Sequence, residues 1–219
     1  MGSQAARESP TEHRWPAAVA IIFALVLYAL LPNSVQFLPP WLLPALGLVV
    51  FLPLVLFNPR RLNRETTWSR WLSMGFAAAL TIVNQVYIVL IVEQLVSGRA
   101  KGAAILLTAL QVWITNVIAF ALLYWELDRG GPVARRVEGL RDDAAMDFRF
   151  PQEDGAPGGT GWRASFIDYA YFSLTNMMAF SPTDVMPLTP RAKGFMGYQA
   201  LTGFVLLAMV ISRAVNILT

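Results

Sequence analysis

The chain has no cysteine and a single histidine, His13, among its 219 residues. These absences exclude disulfides, thiol catalysis and zinc sites built from cysteine and histidine. Charge is also scarce, because Asp, Glu, Lys and Arg make up only 14% of the sequence, whereas soluble domains average about 25%. The formal net charge of +3 is too small to indicate a nucleic-acid partner.

Enzyme motifs are missing as well. The sequence contains no H-E-x-x-H pair, no phosphate-binding loop of the G-x-x-x-x-G-K-[ST] type and no dinucleotide fingerprint. We therefore expect a protein that is not an enzyme and that binds no organic cofactor.

Hydrophobic residues are abundant, at 56%, and they are gathered into long runs. About 20 apolar residues cross the hydrocarbon core of a bilayer. Five runs qualify as candidate spans, at 16–38, 40–57, 71–95, 102–125 and 192–218. The first two are separated only by Pro39-Pro40, so they form either a tight hairpin or one broken segment. The pattern predicts an all-α, multi-pass integral protein of a bacterial-type plasma membrane, with the lipid bilayer as its surroundings.

Two stretches are more polar than the spans. Residues 1–15 mix both signs of charge, and residues 126–163 do the same before ending in a Gly- and Pro-containing run. We interpret 126–163 as a solvated loop.

The segment 164–190 has a different character. Its apolar part, 164–180, is too short and too polar to span a membrane, and Pro182, Pro187 and Pro190 then prevent a helix from continuing. A half-length helix that returns to its own side is a re-entrant loop. Irregular backbone at membrane depth is tolerated where protein buries it or where it lines a water-filled cavity. The segment is therefore predicted to line a cavity of this kind.

Two motifs in this region resemble the pore module of potassium channels. They are Tyr171-Phe172-Ser173-Leu174-Thr175 and Asp184-Val185-Met186-Pro187-Leu188-Thr189-Pro190. In that family a pore helix leads into T-V-G-Y-G-D, then x-x-P-x-T, then an inner helix. Without gaps, the six filter positions fall on Ala179, Phe180, Ser181, Pro182, Thr183 and Asp184. Gly203 lies where many of these channels have a hinge glycine.

The resemblance implies an organisation and an assembly. Four copies around one axis would enclose a pore, which implies a homotetramer. The resemblance covers only 102–219, which it implies is a pore domain. The polar N-terminal segment 1–15 and the N-terminal transmembrane helices 16–101 are inferred from the charges and apolar runs of the sequence and match nothing in that family. The pore domain divides into an outer helix 102–125, a loop 126–163, a pore helix and filter 164–190, and an inner helix 191–218.

The filter departs from the family pattern in a way that bears on selectivity. Ser181 and Thr183 replace the two glycines, and Pro182 replaces the tyrosine. Proline fixes φ and removes an N–H, so the stacked carbonyl sites that select potassium are not expected to form. Rings of Ser181, Thr183 and Asp184 would offer only oxygen ligands, which suit Ca²⁺. We therefore expect a weakly selective channel for K⁺ and Na⁺, modulated by Ca²⁺ or another divalent cation at these three residues.

Alternatives remain at several points. The protein could be a non-conducting scaffold or sensor that kept the module, or a potassium-selective channel with an unusual filter. Asp184 could pin the loop through local hydrogen bonds, and Gly203 could mark a close helix contact instead of a hinge. We interpret the amide side chains within the spans, such as those of Asn84 and Asn116, first as partners in hydrogen bonds between helices.

The resemblance and the distribution of charge disagree about orientation. The family topology places 126–163 outside and 96–101 in the cytoplasm, in agreement with Arg99 and Lys101. It also places the arginine-rich stretch 58–70 outside, against the positive-inside rule. From the sequence we favour the orientation that the resemblance implies.

Overall fold

The computed structural model describes residues 12–33, 35, 37–57, 67–97, 104–135, 145–154, 162–178 and 185–218. The fold is mostly helical. Within the described residues, three helices are long and apolar enough to cross a membrane, at Trp68–Ser97, Ala104–Gly130 and Pro190–Asn216. The structure is therefore compatible with the all-α membrane protein that the composition predicts.

The elements in chain order are α1 (Trp15–Ala29), α2 (Leu42–Phe57), α3 (Thr67–Ser97), α4 (Ala104–Leu127), β1 (Phe148–Arg149), α5 (Pro151–Asp154), α6 (Phe166–Met177), β2 (Met186–Pro187) and α7 (Pro190–Leu218). A 3₁₀ turn, Asp128–Gly130, follows α4. Proline occupies the first turn of α1 and of α7, where its missing N–H leaves no helical hydrogen bond unmade.

Helix α4 is the centre of the bundle and packs against α1, α3, α6 and α7. Its antiparallel pairing with α3 is fixed by two hydrogen bonds. The Thr81 hydroxyl donates to the carbonyl of Ala119 at 3.4 Å, and the Asn116 amide donates to Asn84 Oδ1 at 2.7 Å. We call the end of the bundle where α4 finishes the cap end, and the opposite end the far end. Helix α3 thus begins at the cap end.

The N-terminal helices are shorter than the spans predicted at 16–38 and 40–57. Helix α1 has 15 residues and α2 has 16, fewer than the roughly 20 that cross a bilayer. The two pack together near their shared turn, where a side chain at Gly47 would collide with Leu25. The arrangement agrees with the tight hairpin and not with a single broken segment, since the prolines of the connection end one helix before the next begins.

The interpretation of 126–163 as a solvated loop is wrong for much of its described part. The run 130–135 is buried, and so are Asp128, Asp147 and Phe148. β1 of this region pairs antiparallel with β2, which places Phe148 opposite Pro187. The charges of the segment did not indicate burial because several of them are satisfied inside the fold by partners distant in sequence.

Helix α6 enters the bundle at the cap end and stops partway through it. Its first residue, Phe166, lies at the level of Trp125 near the end of α4, and the two rings are 5.7 Å apart. Its last residue, Met177, contacts Gly203, which is 13 residues beyond the start of α7. At 1.5 Å per residue, the distance along α7 from its start to Gly203 is about 20 Å, and this is the depth that the end of α6 reaches below the cap end. The β1–β2 pairing then returns the chain to the cap end, so α6 is a half-length helix, as 164–180 predicts.

Candidate functional site: a half-length helix and its supports

The N-terminus of α6 is held by two carboxylates. Asp168, in the first turn, accepts hydrogen bonds from the main-chain N–H and the hydroxyl of Ser165, both at 2.7 Å. Glu12, from the segment before α1, accepts the N–H of Phe166 at 2.6 Å and the indole N–H of Trp125 at 3.3 Å. Negative charge is favourable here because a helix N-terminus carries unpaired N–H groups and a partial positive charge. Glu12 is only 6% exposed.

The start of α1 is bound to the end of α4 through further charges. Burial lowers the pKa of the Arg14 guanidinium, and the carboxylate of Glu126, which lies close to it, offsets part of this effect. With Glu12 on Trp125, this contact ties the N-terminal segment to the place where α6 begins. The polar composition of residues 1–15 gave no sign of this role, since its partners lie more than 100 residues away.

Above α6, Asp128 organises the cap end. Its carboxylate accepts the N–H groups of Asp147 and Phe148 at 2.8 and 3.2 Å. It also accepts the hydroxyl of Tyr169 at 2.5 Å. The guanidinium of Arg135 lies over the Tyr169 ring, 4.9 Å from its centroid. The 3₁₀ turn, β1 and α6 are thereby joined around one buried carboxylate.

A second carboxylate, Asp147, anchors the return of the chain into α7. It accepts the hydroxyl of Thr189 and two N–H groups of Arg191, from Nε at 2.8 Å and Nη2 at 2.5 Å. The Thr189 oxygen also accepts the N–H of Ala192 at 3.2 Å, so Thr189 is the N-cap of α7 and Pro190 follows it. Thr189, the threonine that matches the potassium channel motif, thus has a local structural task.

Aromatic rings fill the space between α4, α6 and β1. The centroid of the Phe172 ring is 4.9 Å from that of Tyr124 and 5.0 Å from that of Phe148. Tyr169 joins the same cluster through Phe148, at 6.5 Å, and its ring also contacts that of Phe150, at 5.2 Å. Tyr171 is outside it and is 57% exposed.

The interior holds a chain of polar side chains that joins four helices. Its centre is Gln199 of α7, which is fully buried. The Gln199 carbonyl oxygen accepts the hydroxyl of Tyr124 and the amide of Asn176, both at 2.8 Å. Its amide donates to the hydroxyl of Ser173 at 2.8 Å and lies 3.5 Å from Asn116 Oδ1.

The same chain continues away from α6 into α3. Asn84 receives the Asn116 amide, and its own amide donates to Thr115 Oγ1 at 2.9 Å and to the carbonyl of Val112 at 3.2 Å. The interpretation of Asn84 and Asn116 as interhelical hydrogen bonds agrees with these contacts. Sequence reasoning missed Gln199, Asn176 and Tyr124. A polar residue at one position of an apolar helix was the available signal for Gln199.

Gly203 lies where α7 crosses the C-terminal end of α6. A Cβ at this position would overlap the main-chain carbonyl oxygen of Met177. The alternative interpretation of Gly203, as a close contact between two helices, therefore agrees with its surroundings. Its role as a hinge stays a prediction. At Gly194 and Gly197 of the same helix, no described residue would come within 4 Å of an added Cβ.

The predicted filter, from Ala179 through Phe180, Ser181, Pro182 and Thr183 to Asp184, lies outside the described residues. Its two neighbours are described. Met178 is 39% exposed at the end of α6, and Val185 is buried just before β2. Among the described residues no three His, Cys, Asp or Glu side chains form a group that could hold a metal ion. The proposed divalent ligands thus remain a prediction.

Comparison with family models, with curated proteins and with solved structures yields no match for this chain.

Proposed function

We propose that the chain is one subunit of a homotetrameric, weakly selective monovalent cation channel of potassium-channel architecture in a bacterial-type plasma membrane. The observation that carries the proposal is the placement of α6, a half-length helix between α4 and α7. The position of α6 between two long helices, its depth in the bundle and the return of the chain to the cap end are those expected of a pore helix between an outer helix and an inner helix.

The chemistry at the end of α6 supports a water-filled, cation-attracting site. The last four carbonyls of a helix have no partner within it and carry partial negative charge. At a depth of about 20 Å such groups need protein or water around them, because lipid cannot satisfy them. A ring of Asp184 carboxylates just beyond would add a field that attracts cations and repels anions.

The outer surface of α6 supports assembly with further copies. Ile167, Tyr171 and Met178 follow one another at helical spacing and are exposed. A half-length helix with this face open to lipid would also leave its C-terminal end uncovered. Neighbouring copies that face one axis would cover both.

The test is a planar-bilayer recording of the purified protein under a K⁺/Na⁺ bi-ionic gradient, repeated across calcium concentrations. We expect a reversal potential near zero and a current that depends on calcium. A reversal strongly biased to potassium would contradict weak selectivity. Absence of current from assembled tetramers would contradict conduction and favour the scaffold or sensor.

The divalent site has its own test. Asp184→Asn removes the carboxylate and keeps a similar side-chain shape, so the calcium dependence of the current should shift to higher concentrations. Asp154→Asn, the same chemical change in α5 and outside the filter, is the matched control. Calcium dependence unchanged in Asp184→Asn would contradict the part assigned to this carboxylate.

A further inference from the structure

The basic residues are distributed unequally between the two ends of the bundle. Helices α1, α3 and α7 begin at the cap end, α4 finishes there, and both ends of the segment around α6 lie there. Among the described residues, the helix ends and connections of the cap end contain Arg14, Arg70, Arg129, Arg135, Arg149, Arg163, Arg191 and Lys193, whereas Arg213 lies in the far part of α7. In the sequence, the connection between α2 and α3 contains Arg60, Arg61 and Arg64, and the connection between α3 and α4 contains Arg99 and Lys101.

The contacts between the helices fix which helix ends lie at the cap end. The hydrogen bonds of Thr81 and Asn84 to α4 set α3 antiparallel to α4. The contact of Glu12 with Trp125 places the start of α1 at the cap end. The start of α3, with Arg70, therefore lies at the same end of the bundle as the 3₁₀ turn and β1. The described helices thus keep the disagreement between the positive-inside rule and the orientation that the resemblance implies.

Exposed tryptophans locate the bilayer surface at the same level. Trp15, Trp68 and Trp71 are each more than half exposed and lie in the first turns of α1 and α3. Indole rings prefer the headgroup region. The basic residues at this end of the bundle therefore lie close to headgroup depth, where anionic lipids attract cationic groups.

We infer that the cap end faces the cytoplasm and contacts the anionic lipid headgroups of the inner leaflet. Orientation follows the number of Lys and Arg in short loops, to which acidic residues contribute little. The acidic residues that also gather at the cap end therefore do not cancel the bias. Helix α6 then enters the membrane from the cytoplasm, opposite to the orientation that the potassium channel resemblance implies.

The orientation does not depend on conduction, but one consequence rests on the proposed function. In a conducting protein mounted this way, the Asp184 ring would collect cations from the cytoplasm. A divalent cation acting there would do so from the cytoplasmic solution. Bilayer recordings that find no current would leave the orientation itself to be decided by the labelling below.

The absence of native cysteine permits labelling without background. Gln152→Cys places a thiol on exposed α5 at the cap end, and Ser97→Cys places one at the exposed end of α3 at the far end. Each single-cysteine protein is treated with a membrane-impermeant maleimide in bacterial spheroplasts, before and after lysis. We expect Ser97→Cys to be labelled in intact spheroplasts and Gln152→Cys only after lysis. The reverse pattern, or equal labelling of both in intact spheroplasts, would overturn the inference.

A second arm tests whether charge sets the orientation. In the Gln152→Cys background, Arg60, Arg61 and Arg64 are changed together to Gln, and the parent protein is the control. A weakened bias should make a measurable fraction of Gln152→Cys reactive in intact spheroplasts. If labelling shows a cytoplasmic cap end but the three substitutions leave it unchanged, then these basic residues do not set the orientation, and that part of the inference is overturned.

Discussion

Helices α4 and α7 are both long and apolar, yet they occupy different positions in the molecule. In the most apolar stretch of α4, 61% of the residues are buried, whereas only 17% are buried in the corresponding stretch of α7. The buried residues of α7 form one narrow stripe that faces α4 and α6, namely Ala192, Gln199, Gly203 and Leu206. One helix is a core and the other is a boundary, and the boundary helix makes its contacts at a few specialised residues. The following changes break or sharpen this difference.

The largest effect is expected at Gly203. In Gly203→Val the new side chain overlaps the carbonyl of Met177, so α7 and α6 must separate, and overpacking of this kind costs about 3 kcal/mol. Thermal unfolding in detergent should show a large decrease in Tm. Gly197→Val is the matched control on the same helix and should unfold near the parent temperature. Equal effects at the two glycines would contradict the close contact.

The next effect is expected at the centre of the polar chain. Gln199→Leu keeps the volume roughly constant but leaves the Tyr124 hydroxyl and the Asn176 amide without their acceptor. The loss should be about 2 kcal/mol. In a conducting protein the K⁺/Na⁺ permeability ratio should also change, because the Asn176 end of α6 precedes the predicted filter in the chain.

Tyr198→Phe provides the control for this prediction. It removes one exposed hydrogen bond, from the Tyr198 hydroxyl to Gln85 at 3.1 Å, and should cost less than about 1 kcal/mol. A Gln199→Leu protein as stable as Tyr198→Phe would show that the chain contributes little.

A smaller effect is expected at Glu12. Glu12→Gln keeps an acceptor for Phe166 but removes the charge at the N-terminus of α6, at a cost of about 1 kcal/mol. Denaturant unfolding measures the difference. Glu93→Gln, on the exposed far part of α3, should stay within about 0.5 kcal/mol of the parent. An equal change in both would contradict the specific role of Glu12.

The smallest effect on folding is expected on the outer face of α7. Single cysteines at the exposed positions Leu201, Phe204, Leu207 and Ile211 should leave Tm nearly unchanged. If copies assemble around α7, oxidation should crosslink a subset of these positions into dimers on gels. A buried α4 position, Ala119→Cys, should give no crosslink. Uniform absence of crosslinks would contradict assembly through this face.

The long helices were predictable, but their contacts were not. The runs at 71–95, 102–125 and 192–218 agree with α3, α4 and α7 because length and hydrophobicity are local properties. The half-length helix was also predictable, since the prolines after residue 181 limit it. In contrast, nothing local distinguishes Gly203 from Gly197 or Gly194, which differ only in what faces them.

The polar partners depend on tertiary structure in the same way. Tyr124 and Gln199 are 75 residues apart in the chain and meet only after α4 and α7 have packed. The burial of 130–135 depends on Asp128 and Tyr169, whose pairing is invisible in composition. Sequence therefore predicts where helices run, and packing decides which of their polar groups become structural.

The contact between Glu12 and Phe166 also has a consequence for biogenesis. The two residues are separated by 154 positions, and Glu12 leaves the ribosome long before Phe166 is synthesised. During insertion, the Glu12 carboxylate has neither of these hydrogen-bond donors until α4, with Trp125, and the start of α6, with Phe166, have been synthesised. Docking of α6 therefore completes a contact whose acceptor was synthesised 154 residues earlier.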